Sequence, residues 1–505
     1  MQVPMTQYNA QSGRISAALP LLAGLACAQI LATLFVWRSD RLILQQNQTL
    51  TAAGWLAIPA GPAMAGLKTW GAALRGGLFY TLTVGAGLTL LTWAGIILWQ
   101  GVLRRNRLGA AALAVLWIAL LGAVNFKGLV LFPSLFVFFI PLCTGLIVIR
   151  RGRLAEDGPR RWLWLVPVLS LVLLAGLWTT QLNGDLFIAI RDNILLSNSI
   201  GRKVNDFYYR NTLYAAQTFK SLSQKTIRAY QVQGLTDDRL AQRLDAVLSA
   251  RDIFKVPAPG PADIRVVQLR DRWRLESSFG DSLDVAPAEF LKNPDRWLAA
   301  LSDLSDRYAP LRRLTFYSLL VAFPVLMYIL IYGFFYSGAS CFLSRRSAVV
   351  IASGICLVIG IGFFIAMLKG RPAVVSRQEI GSALASPDWH LCVAALHQIE
   401  KQGLEISRYT QYRRLLHSPL VVERYWLARA MAVSRSASTY ADLLAMMQDP
   451  HPNVVCQVYF ALGQRGNPAA IERIRNQILQ SDHWYTQWYG YHALRRLGWH
   501  QRPSN

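Results

Sequence analysis

Seven stretches of this chain run without a single Asp, Glu, His, Lys or Arg: Ile15 to Trp37, Leu78 to Leu103, Gly109 to Asn125, Leu129 to Ile149, Trp162 to Leu182, Phe316 to Ser337 and Ala348 to Leu368. At 1.5 Å per residue most are long enough to cross a hydrocarbon layer of about 30 Å. The pattern predicts about seven transmembrane helices, with a lipid bilayer as the first partner. The alternative for the first run is a cleaved signal, since Arg14 precedes it and Gly24-Leu25-Ala26-Cys27 has a lipoprotein-like look. The apolar run continues ten residues beyond Cys27, so an uncleaved span is expected. Gly24, Ala28 and Ala32 form a small-residue stripe suited to close helix contact.

The remaining chain changes periodicity. Residues 1-182 hold five predicted spans and 315-368 two more, leaving an insertion at 183-314 and a C-terminal domain at 369-505. Within the insertion, Ser197 to Gly201 is poor in helix formers and predicts a break. From Ile200 onward, Val204, Phe207, Tyr208, Ala215, Phe219 and Leu222 recur at helical spacing, which predicts an amphipathic helix with its apolar face in a core. Thr236 to Ala250 predicts a short helix capped by Thr236. Ile264 to Leu269 and Trp273 to Ser277 alternate in polarity around Arg270-Asp271-Arg272, which predicts a hairpin. The insertion therefore reads as a small α+β domain.

The C-terminal domain repeats itself. Ala395-Leu396, Ala430-Met431, Ala461-Leu462 and Ala493-Leu494 each follow a break, at Ser386-Pro387-Asp388, Ser418-Pro419, Asp449-Pro450-His451-Pro452 and Ser481-Asp482. Leu396, Met431, Leu462 and Leu494 are expected to share one apolar core. The third unit, Asp449 to Val454 followed by Ala461-Leu462-Gly463 and Gly466 to Ile471, resembles the HEAT-like repeats of the phycobilisome-lyase type. That resemblance implies a stacked α-solenoid that binds protein partners. The family pattern places an Arg after the Val; here Trp389, Arg424, Val455 and Gln487 stand at the matching positions, and only Arg424 keeps it. The expected fold is thus mainly α: membrane helices, an α+β insertion and a C-terminal HEAT-like solenoid.

Composition agrees, with 53% hydrophobic and 16% charged residues in 505. The charge of +24 needs its location before it means anything. The membrane part and its short loops hold 16 basic and 3 acidic residues, the insertion 20 and 16, and the C-terminal domain 16 and 9. Neither domain outside the membrane is basic enough to suggest nucleic acid. Arg104, Arg105 and Arg107, then Arg150, Arg151, Arg153, Arg160 and Arg161, then Arg345 and Arg346 mark alternate loops as cytoplasmic. This predicts a cell-membrane protein with its N-terminus in the cytoplasm, and both larger domains outside it on the same side.

Chemistry is sparse. The predicted spans carry no ionisable groups of the kind retained for proton or ion pathways. Gln29, Gln100, Asn125 and Gln181 are read as packing or interfacial groups. The chain has no GxxxxGK[ST], GxSxG, HExxH or CxxC motif, so no catalytic residue, cofactor or metal is predicted. All seven His lie between His390 and His500; His390, His451 and His483 recur with the repeat. Cys392 and Cys456, two repeats apart, are read as buried small residues. The one unusual cluster is Trp484, Tyr485, Trp488 and Tyr489, with Trp499 nearby. It is the candidate partner-binding site, and one or two of its members are expected to be exposed. The functional expectation is a membrane-anchored scaffold or assembly module; a transporter, or a non-catalytic subunit of a membrane enzyme complex, is the alternative.

Overall fold

The computed structural model describes residues 5–151, 163, 165–217, 219–369 and 375–502. Arg153, Arg160 and Arg161 of the fourth loop, and Trp162 at the start of the fifth apolar run, lie outside the described residues.

The first apolar run sits in α1 (Met5–Ala52), which continues past Trp37 to Ala52. Next come α2 (Trp70–Tyr80) and α3 (Ala86–Gly101), joined through a π-turn at Thr81–Gly85, then α4 (Arg107–Val124), α5 (Leu131–Arg151) and α6 (Leu165–Thr179). Among the described residues six helices are long and apolar enough to cross a membrane, and Leu165–Thr179 is a shorter apolar one. The small stripe of α1 does bring helices together. Ala28 and Ala32 are fully buried, a Cβ on Gly85 would stand 2.5 Å from that of Ala28, and one on Gly24 would stand 2.6 Å from Thr89 Cγ2. Gln29 is satisfied between helices, donating to Thr33 Oγ1 (3.0 Å) and Leu74 O (2.9 Å) and accepting from Thr81 Oγ1 (2.8 Å).

After α6 the chain turns through Leu186–Leu195 into α7 (Ser199–Gln217). The insertion then forms a five-stranded sheet of order β2-β1-β3-β4-β5. Its strands are β1 (Arg228–Gln233), β2 (Ile253–Lys255), β3 (Ile264–Leu269), β4 (Arg272–Ser277) and β5 (Ser282–Val285). The predicted hairpin is β3–β4, antiparallel with Val266 opposite Leu275. Strand β1 escaped the alternation test because it is central and parallel to both neighbours, with Tyr230 buried in one cluster and Ala229 in another. The intervening helix α8 (Asp238–Ser249) is capped by Asp237, not Thr236; its carboxylate accepts from the Arg239 and Leu240 amides at 2.9 and 3.1 Å.

Helix α9 (Pro294–Ser305) returns the chain to α10 (Ala309–Leu320), α11 (Ala322–Ala339) and α12 (Arg345–Lys369), so the sixth apolar run is broken at Val321. Beyond it, among the described residues, four helical hairpins stack. Their second helices are α13 (Trp389–Gln402), α14 (Val421–Met431), α16 (Pro452–Arg465) and α18 (Trp484–Arg496); α15 (Ala437–Met446) and α17 (Ile471–Gln480) are first helices of the last two hairpins. Leu396, Met431, Leu462 and Leu494 are fully buried in one continuous cluster, as the repeat register requires. Arg424, the one position that keeps the family's Arg, reaches Asp449 with two nitrogens at 2.6 and 3.1 Å.

Helix α7 departs from expectation. Ile200 is 75% exposed, Val204 54% and Phe207 41%, while Asn205 and Asn211 are buried. An apolar stripe normally turns inward. Here the polar side is claimed by the repeats: Asn205 bonds Asn453 (3.0 Å), Arg202 reaches Pro419 O (3.4 Å) and Arg210 pairs with Asp482 (2.9 Å). Three partners from three successive repeats fix which face points in.

Candidate functional site

Two features stand out: a polar seam that fastens the repeats to the rest of the chain, and a cleft beside it.

The seam runs along the second helices of the hairpins. At α14, Trp426 Nε1 donates to Asp192 (2.8 Å), and Arg191, paired with Asp192 at 2.7 Å, lies 4.0 Å above the Tyr425 ring and donates to its hydroxyl. At α18, Tyr491 donates to Asp252 (2.6 Å) and Arg495 pairs with the same carboxylate (3.1 Å). Gln487, fully buried, accepts from the Ala60 amide (2.8 Å) and donates to its carbonyl (3.0 Å). Gln501 grips Leu56 in the same two-way manner, at 2.7 and 3.1 Å. The loop after α1, the insertion and the solenoid are thus stitched together by buried hydrogen bonds, each dear to leave unmade.

The five candidate aromatic residues lie in or next to this seam. Trp484 is buried against Leu44, Ala63 and Leu67. Trp488 is half-buried and donates to Thr226 Oγ1 (2.7 Å). Tyr485 is half-buried, its ring 4.7 Å from that of Tyr209; Tyr489 packs 5.1 Å from both Tyr485 and Trp488. Trp499 is half-buried beside Tyr491. None of the five reaches full exposure, because the chain's own first loop and insertion come to them. His483 is buried and His451 half-buried, and desolvation holds both imidazoles down at about 4, so they are neutral near pH 7. Cys392 and Cys456 are buried in different repeats.

The cleft, about 980 Å³, lies between the second half of α1, the start of α5, the residues just before α10 and the insertion. Its lower wall is apolar, formed by Leu31, Leu34, Phe35, Leu131, Phe132 and Leu135. The lining also carries Arg38, Lys220, Lys225 and Arg265, with Asp263, Glu276 and Asp306. Each acid is already engaged. Asp263 takes Lys225 at 2.5 Å, the Ala229 amide at 2.9 Å and the Gln46 amide. Glu276 faces Arg265 across β3–β4 at 3.8 Å, and Asp306 holds both guanidinium nitrogens of Arg312 at 2.8 and 2.5 Å. Arg38 and Lys220 have no acidic partner within ion-pair distance among the described residues. Burial, and then the Lys225 ammonium, push Lys220 down to about 8. The sequence held one signal of these cations, Lys220 and Lys225 at the close of a helical stretch, but nothing in it tied them to Arg38.

Asp40 corrects the picture of ion-free helices. It lies in α1 three residues beyond the predicted span, fully buried, and neither carboxylate oxygen has a hydrogen-bond partner. It follows Val36 and precedes Leu44 by one turn each, on the side meeting residues 61–80 and away from the cleft.

Spacing, register and core together decide the nature of the C-terminal stack. Residues 413–495 match the family model for HEAT repeats. The rest of the chain matches no family. No curated protein and no solved structure matches the chain. HEAT repeats as a class are protein-interaction solenoids, and that general role is what the match carries.

Proposed function

We propose that the chain is a membrane-anchored scaffold whose HEAT repeats are held at a fixed attitude on a bundle of bilayer-crossing helices. The observation that carries this is where the apolar surface lies. Helix α4 has only 11% of its apolar window buried and α11 only 6%. Phe126, Leu108, Phe334 and Val358 all point outward, far more apolar surface than a soluble protein leaves open. A lipid surround accounts for it, and for the outward apolar side of α7, which then lies along the bilayer surface. The repeats and the insertion touch, so they share one side of the membrane; the arginine-rich loops favour the non-cytoplasmic side.

Nearly all of α14 and α16 is buried, so the second-helix face of the solenoid is occupied by the chain itself. The face left for a protein partner is that of the first helices, with exposed Arg413, Arg473 and Leu479. Two measurements test this. The full chain should remain in the pellet after alkaline carbonate extraction of membranes. A photo-crosslinking residue at Arg413 or Arg473 should give intermolecular adducts in cells, while one at Asn205 should crosslink only within the chain. Release by carbonate, or intermolecular adducts from Asn205 alone, refutes the reading. A transporter or non-catalytic subunit of a membrane complex is the second reading, and buried Asp40 is the observation in its favour.

A further inference from the structure

The cleft beside α1 combines two properties that rarely meet by accident. Its wall is a leucine and phenylalanine surface, and Leu34 and Leu131 in it are 52% and 61% exposed, so the wall is reachable from outside the helices. Its lining also holds two cations, Arg38 and Lys220, that pair with no acid among the described residues. Arg38 is exposed and Lys220 half-buried, and a half-buried cation is costly without a counter-charge. Burial and the neighbouring Lys225 both disfavour the charged form of Lys220. A volume of about 980 Å³ falls at the top of the usual range for ligand sites, about 300–1,000 Å³.

We propose that the cleft binds one anionic lipid, with its phosphate between Arg38 and Lys220 and a hydrocarbon chain along Leu31, Leu34, Leu131 and Leu135. The ligand's two halves answer to the two kinds of surface in the site. Phosphate oxygens accept the charge-assisted hydrogen bonds that no protein acid accepts, and the chain removes the exposed Leu34 and Leu131 from solvent. Free phosphate matches only the first half and a zwitterionic lipid only the second, since its own cation opposes Arg38 and Lys220. This inference rests on the bilayer reading for the source of the ligand.

The test uses the full chain purified in a neutral detergent and titrated with phosphatidylglycerol, phosphatidylcholine or inorganic phosphate, with bound ligand counted by native mass spectrometry. Phosphatidylglycerol should be retained at least about tenfold more tightly than phosphatidylcholine, the scale of one charge-assisted contact. Lys220→Gln and Arg38→Gln should each remove most of that preference. Leu34→Trp, which fills the apolar wall and leaves the charges alone, should weaken binding of the same lipid. Arg345→Gln, outside the cleft, should leave it unchanged, and thermal unfolding at or above the parent's temperature in each variant separates lost binding from lost fold. Equal retention of the two lipids overturns the proposal, as does a preference that survives both Lys220→Gln and Arg38→Gln, or inorganic phosphate that binds as tightly as the lipid. Because binding is read in detergent, such a failure leaves the bilayer reading to stand or fall on carbonate extraction.

Discussion

Replacing Gln487 with Ala should unfasten the solenoid from the loop that follows α1. Gln487 is fully buried, and its amide serves four backbone groups: the Ala60 N–H at 2.8 Å, and the carbonyls of Ala60, Ile478 and Ser481 at 3.0, 2.9 and 2.8 Å. Two of the carbonyls cap the end of α17 and its turn, where helical carbonyls have no partner of their own. Ala60 itself is buried, so water does not simply replace the side chain. An orphaned buried polar group costs about 1–3 kcal/mol. The Ala60 N–H and one carbonyl left unmade put the loss at about 2–6 kcal/mol. Hydrogen exchange of the full chain in detergent localises the effect: amides from Leu56 to Gly61 should exchange about a hundredfold faster, on the scale of 1.4 kcal/mol per tenfold. Gln487→Met keeps the volume without the bonds and should behave alike. Gln501→Ala, which frees Leu56 of the same loop, should add less in combination than alone, since the loop opens as a unit. Protection of 56–61 unchanged in Gln487→Ala would refute the view that these bonds hold the domains together.

Leu462→Ala empties a fully buried position in the repeat core and should cost about 2–5 kcal/mol in denaturant unfolding; under about 0.5 would place the repeat register in error. Lys220 has a folded-state value near 8 against an ordinary 10.5, so its charged form penalises folding below pH 8, with relief as pH climbs to 10.5. Lys220→Met should therefore be the more stable form at pH 7, with its advantage shrinking above pH 8 in thermal scans; an advantage that grows with pH contradicts this. For topology, Ser278→Cys and Ser438→Cys should label together with an impermeant thiol reagent from one side of the membrane. Exposed native Cys341, beside Arg345 and Arg346, should label from the other side. Labelling of only one introduced cysteine would break the common-side arrangement.

Local order was legible in the sequence. Most of the apolar runs, the 31–35-residue spacing of Leu396, Met431, Leu462 and Leu494, and the β3–β4 hairpin came through, because each depends on neighbours within a few turns or one hairpin. Periodicity reports that a face exists but is silent on what covers it. Only the tertiary structure decided that α7 turns Asn205 inward and Ile200 outward, because the deciding partners, Pro419, Asn453 and Asp482, lie over 200 residues downstream. The same holds for the aromatic helix: its composition reads as a surface, yet Trp484 is buried by Leu44 and Leu67, and Trp488 is engaged by Thr226. At Gln487 the departure from the repeat pattern is itself functional, since a neutral amide can both donate to and accept from Ala60 where an arginine could only donate. The cleft shows the limit most plainly. Arg38, Lys220, Asp263 and Asp306 come from four separate segments, and which cations remain without an acid depends on pairing in three dimensions, which no one-dimensional pattern records.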